Sequence, residues 1–457
     1  MKKIGLFLIA FVLFCVSCEK ENTLLQKDEI NDNKEVKAKS NYRISIDDAI
    51  NEVISLLDVI DNNTGNGNTV TTLSASKRRV IKDVQVATKP RTGLTLMSAT
   101  SGSDENNGSA DTLFYVINFE DNQGFAIASA DNRYEPVFCV TENGSYHYGD
   151  SINNPGFAMV MTNIELLYAA KPPDTAYIPG SEFPIDDGGG SGGGGSSGLI
   201  CDICDYWVTV VDITQKVKVK WGQWSPYNDN ITNPVGAPAG CVATAIAQIM
   251  SCYEYPASHN SFNYNWTEMK KHCSYPPTWI PPSGPLWYVS YPNARTYLAH
   301  LFYNDIGLGV NMNYNMSGSG ASDNAARNYL INRGYTCSPY TDYNIDNVKT
   351  VLNQNKLVYI SAYATKTHTG FLGLTTTYSN GHAWVIDGYM YRECLCGGIV
   401  RETKRLIHCN WGWDGIADGY YANSVFDTRK TAYQDVLGQA QGEWYYRYNA
   451  HVMSVSH

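Results

Sequence analysis

Between residues 241 and 253 the apolar positions Val242, Ala245, Ile246, Ile249 and Tyr253 recur with a 3.6-residue rhythm, which predicts a helix from Cys241 onward. Pro238 and Gly240 precede it and suit a tight turn into a helix start. Ala243 and Ala247 are small enough for another element to pack closely. The same rhythm predicts a helix over Ile44–Ile60, with Ser45 and Asp48 as its start signal and Ile46, Ile50, Val53, Leu57 and Ile60 on one face. Further helices are predicted over 157–170, 294–306, 323–333 and 345–355. Thr112–Phe119 and Phe125–Ser129 flank a turn at Asp121–Gly124 and read as a hairpin. Alternating or continuously apolar runs predict strands over 80–86, 134–140, 357–361, 400–408 and 445–455, and one that starts at His382 and closes at Asp387-Gly388. The Thr- and Gly-rich stretch from Ala364 to Asn380 reads as a long loop.

Polar and Gly-rich stretches divide these elements. Asp186–Gly198 is almost wholly Gly and Ser, a flexible coil that a protease can reach, and cleavage is expected between Gly188 and Tyr206. At the N-terminus Lys2 and Lys3 precede an apolar run, Ile4–Phe14, too short to span a bilayer, which reads as an export leader over 1–17. Val16-Ser17-Cys18 then suggests a lipoprotein signal with Cys18 as the lipidated residue, which would anchor the exported chain to the bacterial membrane; ordinary secretion is the alternative. Residues 18–42 are charged and polar without rhythm and read as a tether.

At 457 residues the chain is long for one domain and fits two plus processing segments. A formal net charge of −10 argues against nucleic acid as a partner, because phosphate contacts need a basic surface. Two cysteine pairs, Cys201/Cys204 and Cys394/Cys396, admit either zinc or a disulfide. A single CxxC lacks the second pair of a zinc site, so the disulfide is favoured in an exported protein and no metal or cofactor is expected.

The chemistry concentrates in three places. Cys241 sits at a helix N-terminus, where the macrodipole and free N–H groups favour a thiolate, so its pKa is expected to fall; the plainer reading is a small buried residue capping a core helix. His382 opens a buried strand, where a lone His is more often structural. Asn410 ends the run Leu406–Asn410, followed by Trp411-Gly412-Trp413, which read by itself is a Trp-rich hairpin. Together, Cys on a helix, His on a strand and Asn on the next strand follow the order of a Cys-His-Asn catalytic set. Gln223, upstream, offers an amide to a developing oxyanion beside the Cys241 N–H.

The segments Gln223…Pro226-Tyr-Asn228, Gly240-Cys-Val-Ala-Thr-Ala, Gly381-His382-Ala, Val385-Ile-Asp-Gly388 and His408-x-Asn-Trp-Gly-Trp413 resemble the streptopain family of secreted bacterial papain-like cysteine peptidases, in the family's order from about Lys220 to the C-terminus. The resemblance implies an α+β fold. A papain-like domain over 206–457 would have a helical side and an antiparallel β side, preceded by an α+β inhibitory propeptide over 43–185 and an activation linker over 186–205. It implies Cys241 as nucleophile, His382 as general acid/base, Asn410 orienting His382, Gln223 donating to the oxyanion and Trp411 shielding the His–Asn pair. Ser317, Gly318, Ser319, Gly381 and Trp413 would line the substrate cleft, which in the family favours an apolar side chain. Protein or peptide substrates and the chain's own propeptide would be the partners. Asp414 stands where the family usually has Gly. Two other readings stay open: a catalytically silent peptide-binding relative, and a thiol acyl-transferase on the same core.

Overall fold

Strand alternation sorts the core onto the two faces of one sheet. The computed structural model describes residues 42–63, 79–89, 95–98, 111–169, 206–271, 292–369, 375–396, 399–426 and 448–457. Cys18, the 186–198 run and the Cys201/Cys204 pair lie outside the described residues. The first part runs α1 (Ile46–Asn63), β1 (Ile81–Lys89), β2 (Thr95–Ser98), β3 (Asp111–Phe119), β4 (Phe125–Ser129), β5 (Val137–Thr141) and α2 (Pro155–Ala169). After β6 (Tyr206–Ile213) come α3 (Cys241–Tyr253), a small hairpin of β7 (Ser258–His259) and β8 (Phe262–Asn263), α4 (Trp266–Lys271), α5 (Pro292–Ala299) and α6 (Asp323–Asn332). The chain continues through β9 (Thr336–Cys337), β10 (Thr341–Asp342), α7 (Ile345–Asn353), β11 (Leu357–Thr369), β12 (Thr375–Cys396), β13 (Ile399–Asn410), β14 (Gly419–Ala422) and β15 (Tyr448–Ser456).

The fold is α+β. One sheet is ordered β10-β15-β11-β12-β13-β14-β5-β4-β3-β1-β2, with β6 on β12 and β9 on β15, and its pairings are antiparallel. The seam between the two parts of the chain is the ladder of β14 on β5, where Gly419, Tyr420 and Tyr421 face Thr141, Val140 and Cys139. From Tyr42 to His457 the described residues form one compact unit. In β11 and β12, Leu357, Tyr359, Ala383 and Val385 turn toward α3 and the helical side. Val358, Ile360, Trp384 and Ile386 turn toward α2, α7 and the strands of the first part. Covering both faces explains why these strands read as continuous apolar runs. Residues Val242 to Ser251 of α3 are buried, and each fully buried Ile or Val there contributes about 1.5–3 kcal/mol. A third cluster packs Val53, Leu56 and Ile60 of α1 against β3, β4 and the far ends of β12–β14.

Three expectations change. The stretch 364–380 is not a loop along its length: β11 and β12 extend their pairing through it, with Thr365 opposite Ser379 and Thr369 opposite Thr375. Its β-branched Thr residues suit a ladder, whereas their polarity had read as loop. Helix α2 starts at Pro155, two residues early, because the Asn154 side chain caps the N–H groups of Gly156 (2.9 Å) and Phe157 (3.2 Å). The helix predicted over 294–306 changes to π-type hydrogen bonding at His300–Gly307.

Candidate active site

Gly240 is the hinge on which Cys241 is presented. Its φ is +94°, and an added Cβ would lie 2.9 Å from the Met312 sulfur and 3.0 Å from the Ser319 carbonyl oxygen. Only Gly fits that turn, and the next residue opens α3. The thiol of Cys241 is held by backbone N–H groups of Ala383, Val242 and Cys241 itself, which favour the thiolate. Burial outweighs them, with a further push from the Asp323 charge, and the thiol pKa is raised. The expected fall is therefore not realised in this precursor. The helix start is present, but desolvation of the thiolate costs more than its dipole supplies.

His382 is buried on β12, on the same face as Trp384, and its ring stacks on Trp384 (centroids 5.8 Å, 16°). Its Nε2 lies 3.1 Å from the Trp411 carbonyl oxygen. A carbonyl only accepts, so Nε2 carries the proton and Nδ1 is the basic nitrogen. Burial lowers the imidazole pKa to about 4. At neutral pH both thiol and imidazole are uncharged. The Asn410 side chain does not orient the imidazole directly. Its Oδ1 accepts from Gln248 Nε2 (2.7 Å) and the Gly412 N–H (3.2 Å), while its Nδ2 donates to the Val219 carbonyl (2.9 Å). Asn410 thus pins the turn whose next carbonyl, Trp411, holds His382. Trp411 is fully buried, ring-to-ring with Trp384 at 5.0 Å and with His382 at 6.5 Å. Gln223 is buried next to the turn, and its carbonyl accepts from the Ala239 N–H at 2.8 Å. Gln248, buried and with Oε1 lacking a partner among the described residues, escaped sequence reasoning because it reads as one more residue of a core helix.

Cys241 and His382 both line a cleft of about 470 Å³ between the α3–α6 side and the middle stretches of β11 and β12. Gly318, Ser319 and Gly381 line it as expected. Ser317 does not; it is exposed and its Oγ donates to Asn315 Oδ1 (2.9 Å). Trp413 is not part of the lining either, but meets His382 edge-on at 6.4 Å. Both departures follow from where the 313–320 and 411–418 turns bend, which residue type does not encode. The lining comes wholly from 241–383, so no described residue of the first part of the chain plugs the cleft.

Residues 221–421 match the Peptidase C10 family and residues 69–166 match the Spi protease inhibitor family. Over residues 221–421 the chain is that of a streptopain-like C10 cysteine peptidase. Streptopain of Streptococcus pyogenes is 25% identical over 327 residues, 67% of this chain and 73% of its own length. The thiol protease/hemagglutinin PrtT of Porphyromonas gingivalis is 25% identical over 360 residues, 68% of this chain and 34% of that protein. Among solved structures, a prointerpain A fragment of Prevotella intermedia is 19% identical with a TM-score of 0.44, covering 75% of this chain and 94% of the fragment. Active interpain A is 21% identical with a TM-score of 0.33, covering 53% and 93%. This C10 peptidase is thus a hydrolase made as a zymogen, acting on protein substrates and carrying its own Spi-type inhibitor. The binding-module and acyl-transferase readings are not favoured.

In this zymogen the inhibitor part touches the catalytic part at several places besides the β5–β14 ladder, and two of them that sequence did not reveal stand out by their chemistry. At the first, Glu142, one residue past β5, enters a buried cluster. Its Oε1 accepts from Gln215 Nε2 (2.8 Å) and His408 Nε2 (3.2 Å), and its Oε2 accepts from Lys220 Nζ (2.5 Å). The other ring nitrogen of His408, Nδ1, bonds Asp387 Oδ1 at 2.6 Å. Asp387 sits at a register shift of β12 against β13, which aims it off the ladder. Two carboxylates on one ring make it an imidazolium, and although burial works against the charge they lift its pKa to about 10. Glu142, half-buried and facing Lys220 and His408, is held well below the usual carboxylate range. At the second place, Gly156 of α2 lies flat on the Trp411 ring; a Cβ there would fall 2.0 Å from Cε3. Asn154 Nδ2 also donates to the Ile416 carbonyl (2.7 Å). No local pattern signals pairings between residues some 260 positions apart. Separately, Cys394 is disulfide-bonded, in line with the disulfide reading of the cysteine pairs.

Proposed function

We propose that Cys241 is the nucleophile and His382 the general acid/base of this peptidase. The single observation that carries the reading is that a helix-start thiol and an imidazole whose Nε2 faces the Trp411 carbonyl line one cleft. Nδ1 takes the thiol proton as sulfur attacks the scissile carbonyl carbon. The C–N bond breaks, and the imidazolium returns the proton to the leaving amine. Water, deprotonated by the same nitrogen, then hydrolyses the thioester. The Cys241 N–H and the Gln223 amide stabilise the oxyanion. Asn410 is a positioning residue acting through the Trp411 carbonyl, and Trp411 excludes water. Gly318, Ser319 and Gly381 contact substrate backbone, with Trp413 on the His382 side and Ser317 outside the cleft. Residues 43–185 are the propeptide, 206–457 the peptidase, and cleavage within 186–205 separates them. A leader over 1–17 exports the chain and Cys18 bears a lipid anchor.

The test is the mass of the purified precursor over hours in mild reductant, beside Cys241→Ala and His382→Ala. Shortening to a species starting near residue 190 in the wild type alone, with peptidase activity appearing in step, is the expected outcome. Equal activity in Cys241→Ala and wild type overturns the assignment. Radiolabelled palmitate incorporation that survives Cys18→Ala overturns the anchor.

A further inference from the structure

One wall of the cleft carries a charge that the proposed reaction does not use. Asp323 lines it together with Ser361 and Tyr363 of β11 and Cys241. Asp323 is the first residue of α6, where a carboxylate commonly serves as a cap. Here the cap is Ser322, whose Oγ accepts from the Ala325 N–H (3.2 Å), so the Asp323 carboxylate is not consumed in that role. It forms no ion pair among the described residues, and the cleft lining holds no Lys or Arg. Burial raises its pKa, and the Tyr363 and Ser361 hydroxyls and more distant His451 draw it only partly back. Ser361 Oγ lies close enough to exert that pull yet completes no hydrogen bond of good geometry. A partly desolvated carboxylate without a cation, beside an unsatisfied hydroxyl and open to the cleft, is an incomplete site. What completes it is a positive group with several donors.

We propose that Asp323 is a specificity-determining residue: its carboxylate makes the cleft beside Cys241 a receptor for a basic side chain, lysine or arginine, of the peptide being cut. This rests on the placement of the reaction at Cys241. The ammonium or guanidinium pairs with the carboxylate, and its remaining donors reach Ser361 Oγ. The apolar preference implied by the family resemblance concerns a different substrate residue and is compatible with this one. The bound cation also acts on the chemistry. The Asp323 charge disfavours the Cys241 thiolate, and neutralising it removes that repulsion as substrate enters. The net charge of −10 draws basic segments toward the protein.

The experiment uses the full-length precursor after activation and fluorogenic peptides in which each residue flanking the cleaved bond is in turn arginine or its neutral isostere citrulline. At one position arginine is expected to raise kcat/KM about ten- to a hundredfold, the scale of a charge-assisted hydrogen-bonded pair. In Asp323→Asn that ratio collapses toward one, and in Asp323→Glu it is retained. A merely structural Asp323 would lower turnover of both peptides in proportion and leave the ratio intact. Equal cleavage of both peptides at every position by the wild type, or a ratio that survives Asp323→Asn, overturns the proposal. Failure of the wild type to cut any peptide is a different result and strikes the Cys241 assignment instead.

Discussion

Replacing Glu142 by Gln keeps the shape of the side chain and removes one charge that joins the inhibitor part to the catalytic part. The carboxylate now accepts from Lys220 (2.5 Å), Gln215 (2.8 Å) and His408 (3.2 Å). An amide offers one acceptor oxygen and an NH2 group, which must face either an ammonium or an imidazolium N–H. Half-buried Lys220 and buried His408 then lose their shared counter-charge, although His408 keeps Asp387. Breaking one partner out of a buried ion pair costs about 3–5 kcal/mol. At 1.4 kcal/mol per factor of ten, that is about a hundred- to several-thousandfold in the equilibrium between docked and lifted inhibitor. The assay is the onset of peptidase activity from purified precursor, with the melting temperature of the same variant measured in a Cys241→Ala background where no processing intervenes. The expected result is faster onset by at least tenfold and melting several degrees lower. A matched control is Arg405→Gln, which removes an exposed pair with Asp346 and should shift neither measurement by more than about 0.5 kcal/mol. An onset and a melting curve that both match wild type would refute the view that this cluster holds the zymogen together.

Three further outcomes are expected. Gly156→Ala drives a methyl group into the immobile Trp411 ring and should destabilise the precursor by about 1–3 kcal/mol while hastening its activation; the mature enzyme, having lost residue 156, should match wild type in kcat/KM. Gln248→Leu removes the 2.7 Å donor to Asn410 Oδ1 and should lower kcat several-fold at nearly constant KM, whereas an equal loss in a pure binding step would show in KM instead. The precursor should lose stability as pH rises from about 6.5 toward about 10. His408 binds its proton more tightly folded than unfolded, so its contribution is complete below 6.5 and gone above 10. On the acid side His382, lowered to about 4, acts in the opposite sense, and its contribution fades as pH falls from 6.5 toward 4. Thermal melts across pH 4–10 of the Cys241→Ala precursor and its His408→Asn derivative check both slopes; an alkaline slope that persists in the derivative would remove His408 from the account.

Local pattern alone was sufficient for the elements that carry the proposed reacting groups. The 3.6-residue rhythm after Gly240 marked α3 and set Cys241 at its start, because amphipathic periodicity and a Gly with forced positive φ are both properties of neighbouring residues. The alternation around His382 marked β12 for the same reason, and the Cys, His and Asn spacing with its Gly and Trp neighbours carried the family. What only the tertiary structure decided is how charges and rings meet across long separations. Asn410 was legible as a candidate site residue, but its hydrogen bonds to Gln248 and Val219 depend on how α3 packs against β13. The thiol pKa depends on how much protein surrounds Cys241, a quantity that no neighbour along the chain reports. Glu142 read as an ordinary acidic residue after an apolar strand; it becomes a clasp because β5 joins β14 in one sheet and brings it to Lys220 and His408. Backbone propensity acts over a few residues and is written into the local order of side chains. Electrostatics and packing act over a few ångströms of space, and it is the folded chain that determines which residues share those ångströms.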